Sequence, residues 1–244
     1  EALPVANIGS REILGETRQQ TEQGKGVCVG RPVPGVEVHV IPISDLPIPE
    51  WGDSLRLPPG VVGEIVVRGP VVTRQYFHRP EATKLAKIRD PKTGEILHRM
   101  GDVGYIDDTG RLWFCGRKSH RVETPHGTLF TDMVEPIFNT VPGVARTALV
   151  GVTRDGVTYP VLCLEFESGH CPQQYIATKQ FQDLLNELRY RCPIANAPVA
   201  LLRHPRFPVD VRHNSKIFRE RLAVWADRQL GPKWKPQVPV EALL

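Results

Sequence analysis

Lys216, Asp102 and Arg117 are the side chains in this 244-residue sequence whose types and settings could do chemistry. Lys216 lies in Asn214-Ser-Lys-Ile-Phe-Arg219, which reads as the start of a helix over residues 215–226. A cation in a first helical turn opposes the helix dipole, so a purely local reason for this lysine is weak. A mobile ammonium is suited to neutralising negative charge that builds up in a reaction. Asp102 sits in Gly101-Asp-Val-Gly104, where an Asp between glycines is by itself ordinary turn chemistry. Its carboxylate is also acceptor-only and takes two donors at once. Arg117 follows Gly116; an Arg at a domain edge is usually solvated, yet its planar fork fits oxygen-rich ligands. His78 and His126 read as solvent-exposed histidines.

The bulk properties are those of an ordinary globular chain. Hydrophobic residues make up 41% and charged residues 24%, with a net charge of +4. Residues 1–116 carry 14 basic and 15 acidic side chains, and residues 117–244 carry 17 and 12, so the basic excess lies in the second half. Its Arg and Lys residues are scattered and not interleaved with aromatics, which argues against nucleic acid and suits a polyphosphate substrate. No apolar run approaches the roughly 20 residues of a membrane span. The five cysteines are odd in number and contain no C-x-x-C pair, which points away from disulfides or zinc and towards the reducing cytoplasm. Cys115 and Cys163 lie in apolar runs and read as buried small hydrophobes. The chain opens at Glu1 without a start signal of its own, as a fragment of a longer polypeptide would.

The elements that must position these side chains fall into two groups. Residues 10–26 are polar with three glycines and read as a surface loop. Residues 36–41 and 64–68 read as strands, separated by an irregular excursion over 42–59 with five prolines. Residues 97–100 and 103–106 read as two short strands with Asp102 at the bend between them. Asp107-Asp-Thr-Gly110 then turns the chain into a returning strand over 111–115. After Gly116 the pattern changes. Thr131 can cap a helix ending near 141–143, strands follow at 145–152 and 159–166, and residues 173–191 form an amphipathic helix. A strand at 199–203 and the helix over 215–226 complete the chain. The expected class is α+β: a β-rich, barrel-like part over 1–117 and a compact α+β part over 118–244.

Three segments in order carry a resemblance. Gly63-Glu-Ile-Val-Val-Arg-Gly-Pro70, His98-Arg-Met-Gly-Asp-Val-Gly-Tyr-Ile-Asp-Asp-Thr-Gly-Arg-Leu-Trp-Phe-Cys-Gly-Arg117 and Asn214-Ser-Lys-Ile-Phe-Arg219 together resemble the C-terminal half of ATP-dependent adenylate-forming enzymes, the acyl-CoA synthetases and peptide-synthetase adenylation domains. The resemblance implies that residues 1–117 end a large adenylation domain and residues 118–244 form a small mobile lid. It implies that Asp102 accepts both ribose hydroxyls of ATP, that Arg117 contacts ribose or phosphate, and that Lys118 or Ser119 is the hinge. Lys216 would enter the active site during adenylation, and Glu1 would bind Mg²⁺ beside the phosphates, unless it is only a terminal acid. Gln75-Tyr-Phe-His-Arg-Pro-Glu-Ala-Thr83 resembles a further family element, with a packing role. The family's phosphate loop and acyl pocket would lie upstream, in a missing N-terminal half, so this polypeptide alone would be inactive.

The departures are specific. His98 and Met100 replace Tyr and Thr of the family's Tyr-Arg-Thr-Gly-Asp, Asn214-Ser215 replaces Ser-Gly before the lysine, and Pro125 stiffens the hairpin after the hinge. Ser119, standing where the family's hinge has Asp or Lys, together with Pro125 and Ser215, looks most like the branch that makes β-lactones from β-hydroxy fatty acids in bacterial long-chain olefin biosynthesis. There the substrate's own β-hydroxyl expels AMP and no CoA is needed. Other enzymes of such a pathway are then possible partners. The resemblance leaves two alternatives open: a long-chain acyl-CoA synthetase, and a non-catalytic lid or scaffold module.

Overall fold

The computed structural model describes residues 3–167, 175–210 and 213–236. It is α+β and divides into two compact units, Glu1–Gln20 with Lys25–Ser119, and Thr21–Gly24 with His120–Leu244.

The first unit contains β1 (Ala6–Asn7), α1 (Ser10–Glu12), a π-helical turn (Ile13–Thr17) running into α2 (Arg18–Glu22), β2 (Val27–Pro32), β3 (Glu37–Ile41), β4 (Gly63–Arg68), α3 (Pro80–Ala86), β5 (Lys87–Arg89), β6 (Ile96–Ile106) and β7 (Leu112–Arg117). Its strands pair antiparallel in the order β1-β2-β7-β6-β4-β3, with β5 also on β6. The sheet curls into a half-barrel. Strand alternation explains how it is filled. Ile65 and Val67 of β4 join Val36, Val38 and Leu112 in one cluster, and Val66 between them joins Ile41, Trp51, Ile88 and Leu97 in another.

Residues 10–22 are helical rather than a loop. The polar composition hid this because charge pairing, not an apolar stripe, holds the segment. Glu12 and Glu16, one turn apart, both bind Arg111, at 3.3 and 3.0 Å. The two short strands expected at 97–106 are one continuous strand, β6. The packing role of residues 75–83 is visible: the Thr83 hydroxyl accepts from the Tyr76 N–H at 3.0 Å and donates to the Arg79 carbonyl at 2.8 Å.

The second unit contains β8 (Val122–Thr124), β9 (Gly127–Leu129), α4 (Thr131–Phe138), β10 (Val144–Arg154), β11 (Val157–Phe166), α5 (Lys179–Arg191), β12 (Ala200–Arg203), β13 (Val209–Asp210), β14 (His213–Ile217) and α6 (Arg219–Leu230). The central sheet is β10-β11-β12, with β12 parallel to β11. Both faces are covered, which is why its strands read as near-continuous apolar runs. Leu149, Leu162 and Leu164 pack against Val134, Ile137 and Phe138 of α4 and Phe181, Leu185 and Leu188 of α5. Val150, Val152, Val161 and Cys163 pack on the other face with Leu222 and Ala226 of α6. Thr21–Gly24 belongs to this unit because Gly24 lies against Met133, Ile137 and Ile194, so tightly that a Cβ would stand 2.8 Å from the Met133 carbonyl oxygen.

Three boundaries differ from the sequence reading. The α4 cap is the extended Phe130, and the Thr131 hydroxyl binds Asp132 at 2.8 Å instead of capping. Helix α5 starts at Lys179 because Thr178 accepts from the Phe181 N–H; residues 173–174 of the expected helix lie outside the described residues. Lys216 stands on a strand, not at a helix start. Ile217 pairs with Val209 and the Phe218 N–H binds the Pro208 carbonyl at 2.9 Å, which keeps this stretch extended until α6 begins at Arg219.

Candidate nucleotide site and lysine strand

Asp102 owes its position to a bulge. Across β4 and β6, Glu64 pairs with Val103 and Val66 with Arg99. Ile65 alone therefore opposes Met100, Gly101 and Asp102. The surplus residues break the ladder and re-aim the side chain, as bulges beside functional sites do. The bulge depends on Gly101, whose φ of +69° is the left-handed region that glycine adopts freely. Gly104 serves differently: a Cβ there would stand 2.1 Å from the Trp113 carbonyl oxygen on β7. The two glycines flanking Asp102 and Val103 thus have separate structural reasons.

Asp102 and Arg117 are brought together as cross-strand partners of β6 and β7, with Arg117 Nη1 2.9 Å from Asp102 Oδ1. The Arg117 side chain is 58% exposed and that of Asp102 only 16%. An ion pair so open to water is worth about 1 kcal/mol or less, so ligand oxygens can compete for the guanidinium at small cost. Asp102 also lines a cavity of about 630 Å³ whose other walls include Val5, Val29, Ile65, Met100 and Phe114.

Lys118, the residue after Arg117, is held elsewhere. Its ammonium donates to the Ser44 carbonyl at 2.8 Å and lies 3.1 Å from Glu64 Oε1. Glu64 is paired at 2.6 Å with Arg99, both side chains 1% exposed. Arg99 in turn donates to the carbonyls of Ser44 and Leu46. Sequence reading missed this network. Its signal was an acid inside the otherwise apolar Glu64-Ile-Val-Val, which cannot be buried without a partner. Ser119 is exposed and is the last residue of the first unit.

Lys216 lies in the second unit, exposed on β14. Three residues on, Arg219 grips Glu135 of α4 with both nitrogens, Nη1 to Oε1 at 2.5 Å and Nη2 to Oε2 at 2.9 Å. Burial pushes the Glu135 carboxyl up from its ordinary value, and the Arg219 charge and the Leu149 N–H pull against that.

Glu1, the expected Mg²⁺ ligand, lies outside the described residues. Among the described residues no three His, Cys, Asp or Glu side chains gather as a metal site, and no helix is long and apolar enough to cross a membrane. Cys28, Cys115, Cys163 and Cys192 are buried; burial pushes the Cys163 thiol up to about 12, so it is no nucleophile. Cys171 is outside the described residues. His78 is exposed, but His126 is half-buried with Nε2 shielded from water, because it sits in the tight β8–β9 turn where its N–H binds the Thr124 hydroxyl at 3.2 Å.

Among solved structures the chain is similar to an amide bond synthetase from Marinactinospora thermotolerans, with a TM-score of 0.62 and 25% identity over 81% of this chain and 36% of that one. It also matches the fold of an o-succinylbenzoate CoA synthetase from Bacillus subtilis solved with its acyl-adenylate intermediate, with a TM-score of 0.65 and 20% identity over 89% and 38% of the two chains. Its structural neighbours are adenylate-forming ligases, and its fold matches the C-terminal part of such enzymes. Among curated proteins, the chain is 51% identical over 233 residues to an olefin beta-lactone synthetase of Stenotrophomonas maltophilia and 50% identical over 235 residues to one of Xanthomonas campestris. Each match covers 94% of this chain and 41% of the relative, so the chain spans about two fifths of the length of these curated proteins. No protein-family model matches it.

Proposed function

We propose that this chain is part of an AMP-forming ligase that activates the carboxylate of a long-chain β-hydroxy acid and closes it to a β-lactone. The observation that carries the reading is the identity of about half, over nearly the whole chain, with two olefin beta-lactone synthetases. Magnesium enters as part of the MgATP substrate, held mainly by the phosphates as is usual for that ion. The carboxylate attacks the α-phosphate and pyrophosphate leaves. The β-hydroxyl oxygen then attacks the acyl carbon of the adenylate, loses its proton, and expels AMP. Intramolecular attack replaces a second substrate and its entropy cost.

In this reading Asp102 takes the two ribose hydroxyls on its carboxylate oxygens, and Arg117 turns its exposed fork to the ribose or phosphate. Lys216 neutralises charge that builds on the α-phosphate and the leaving pyrophosphate. Of the two hinge candidates Ser119 is favoured, because the ammonium of Lys118 is tied to Glu64 and Ser44. Acid-dependent exchange of labelled pyrophosphate into ATP, measured in the full-length enzyme, tests the adenylation step. Exchange stimulated by β-hydroxy acids and reduced in both Asp102→Ala and Lys216→Ala supports the reading, and exchange untouched by either substitution contradicts it. A long-chain acyl-CoA synthetase remains the second reading, favoured by the similarity of 34% over 153 residues to a putative acyl-CoA ligase of Bacillus subtilis.

A further inference from the structure

We infer that Glu135 and Arg219 are positioning residues for Lys216. The inference rests on the role proposed above for that lysine. Strand β10 is an edge of its sheet, so some of its peptide groups face outward without a strand partner. At Leu149 both outward groups are taken by this pair: the Leu149 N–H donates to Glu135 Oε1 at 2.7 Å, and Arg219 Nη1 donates to the Leu149 carbonyl at 3.2 Å. The two-pronged contact between Arg219 and Glu135 closes the ring. Helix α4 packs on one face of this sheet and α6 on the other, and the pair joins them around the edge.

A buried ion pair is a poor source of stability, since apolar side chains of similar volume often do as well or better. What a fork on a carboxylate supplies is direction, because two parallel hydrogen bonds fix both distance and rotation. Arg219 is the first residue of α6, and Lys216 stands only three residues before it, within about 10 Å of chain. The strand that carries the lysine is short, and among the described residues it pairs only with β13, through Val209 and Asp210. Beyond Ile217, which packs partly buried on the core under α6, the Glu135–Arg219 clamp is the next side-chain anchor on the C-terminal side of Lys216. Misplacing a reacting group by about 1 Å can cost about 10²-fold in rate, so a loosened clamp would show in adenylation.

The test compares the full-length wild type, Lys216→Ala, Arg219→Lys and the paired Glu135→Met/Arg219→Met variant. Arg219→Lys keeps the charge and loses the fork; the paired variant removes both charges while keeping the volume. Acid-dependent pyrophosphate exchange is read together with melting temperature and with lactone release from supplied acyl-adenylate. A positioning role predicts that kcat for exchange falls about 10²-fold in both clamp variants, with KM and the release step little changed and the paired variant still folded. It also predicts that adding Lys216→Ala to the paired variant costs about tenfold or less, against about 10²–10³ in the wild type, because the two losses are one loss. Full additivity, an equal fall in exchange and release, or wild-type exchange in Arg219→Lys overturns it. If the paired variant does not fold, Arg219→Lys decides by the same split. If Lys216→Ala alone leaves exchange intact, the reading of the lysine itself fails and the clamp has nothing to position. If that substitution costs what is expected and the clamp variants do not, only the clamp is wrong.

Discussion

Asp107 illustrates how much one carboxylate can hold. Its two oxygens accept from Trp113 Nε1, Arg111 Nε and N–H, and the Thr109 N–H and hydroxyl, at 2.7–2.9 Å. Burial alone would raise this carboxyl, yet these donors hold it well below its ordinary value of 3.8. A carboxyl depressed by folding stabilises the fold above its unfolded pKa, and that contribution drains as pH falls below about 4 towards the folded value. Asp107→Asn should cost about 1.5–3 kcal/mol at pH 7, the scale of hydrogen bonds to a charged group. Urea unfolding at pH 7 and pH 3 checks it: the gap to wild type narrows at the lower pH, and an equal gap at both would contradict the assignment. Asp102, by contrast, is the carboxylate proposed to take the ribose hydroxyls. Asp102→Ala should chiefly weaken ATP binding, visible as a raised KM. Lys216→Ala should lower kcat of adenylation by about 10²–10³ with KM little changed; a raised KM at constant kcat would make the lysine a ground-state binder instead.

At the scale of elements, the β6 bulge is where sequence and structure inform each other most. Gly101-Asp-Val-Gly104 was legible as a turn-like motif, and its family likeness marked Asp102. The single strand through it was not, because a left-handed glycine inside a strand looks locally like a strand end. Gly101→Ala puts a Cβ into open space at positive φ, costing about 1–2 kcal/mol of backbone strain. Gly104→Ala drives a Cβ into the neighbouring backbone and should cost more. Thermal unfolding of both variants orders them, and the reverse order would mean the bulge is not built as described. The amphipathic α5 and the apolar β10 and β11 were legible because their period or run length reflects burial directly. The helix at residues 10–22 and the strand at Lys216 were missed for one shared reason: tertiary partners, Arg111 in one case and Val209 with Pro208 in the other, decide a conformation that local composition leaves open.

Over the whole molecule, one described unit carries a bulge-mounted carboxylate with its arginine, and the other an exposed lysine three residues before the Arg219–Glu135 pair. The chain spans 41% of the length of the curated relatives it matches. Pro125 and its neighbour His126 form the two-residue turn of the β8–β9 hairpin, closed by the Thr124 hydroxyl on the Gly127 carbonyl at 2.8 Å. The most direct test is to incubate the full-length enzyme with MgATP and a long-chain β-hydroxy acid, without CoA, and to look for the ring protons of a β-lactone by proton NMR, with Lys216→Ala as control. Lactone formed by the wild type and lost in the variant is the result expected. No lactone, with AMP released only once CoA is added, would contradict the account and return this chain to the acyl-CoA ligases.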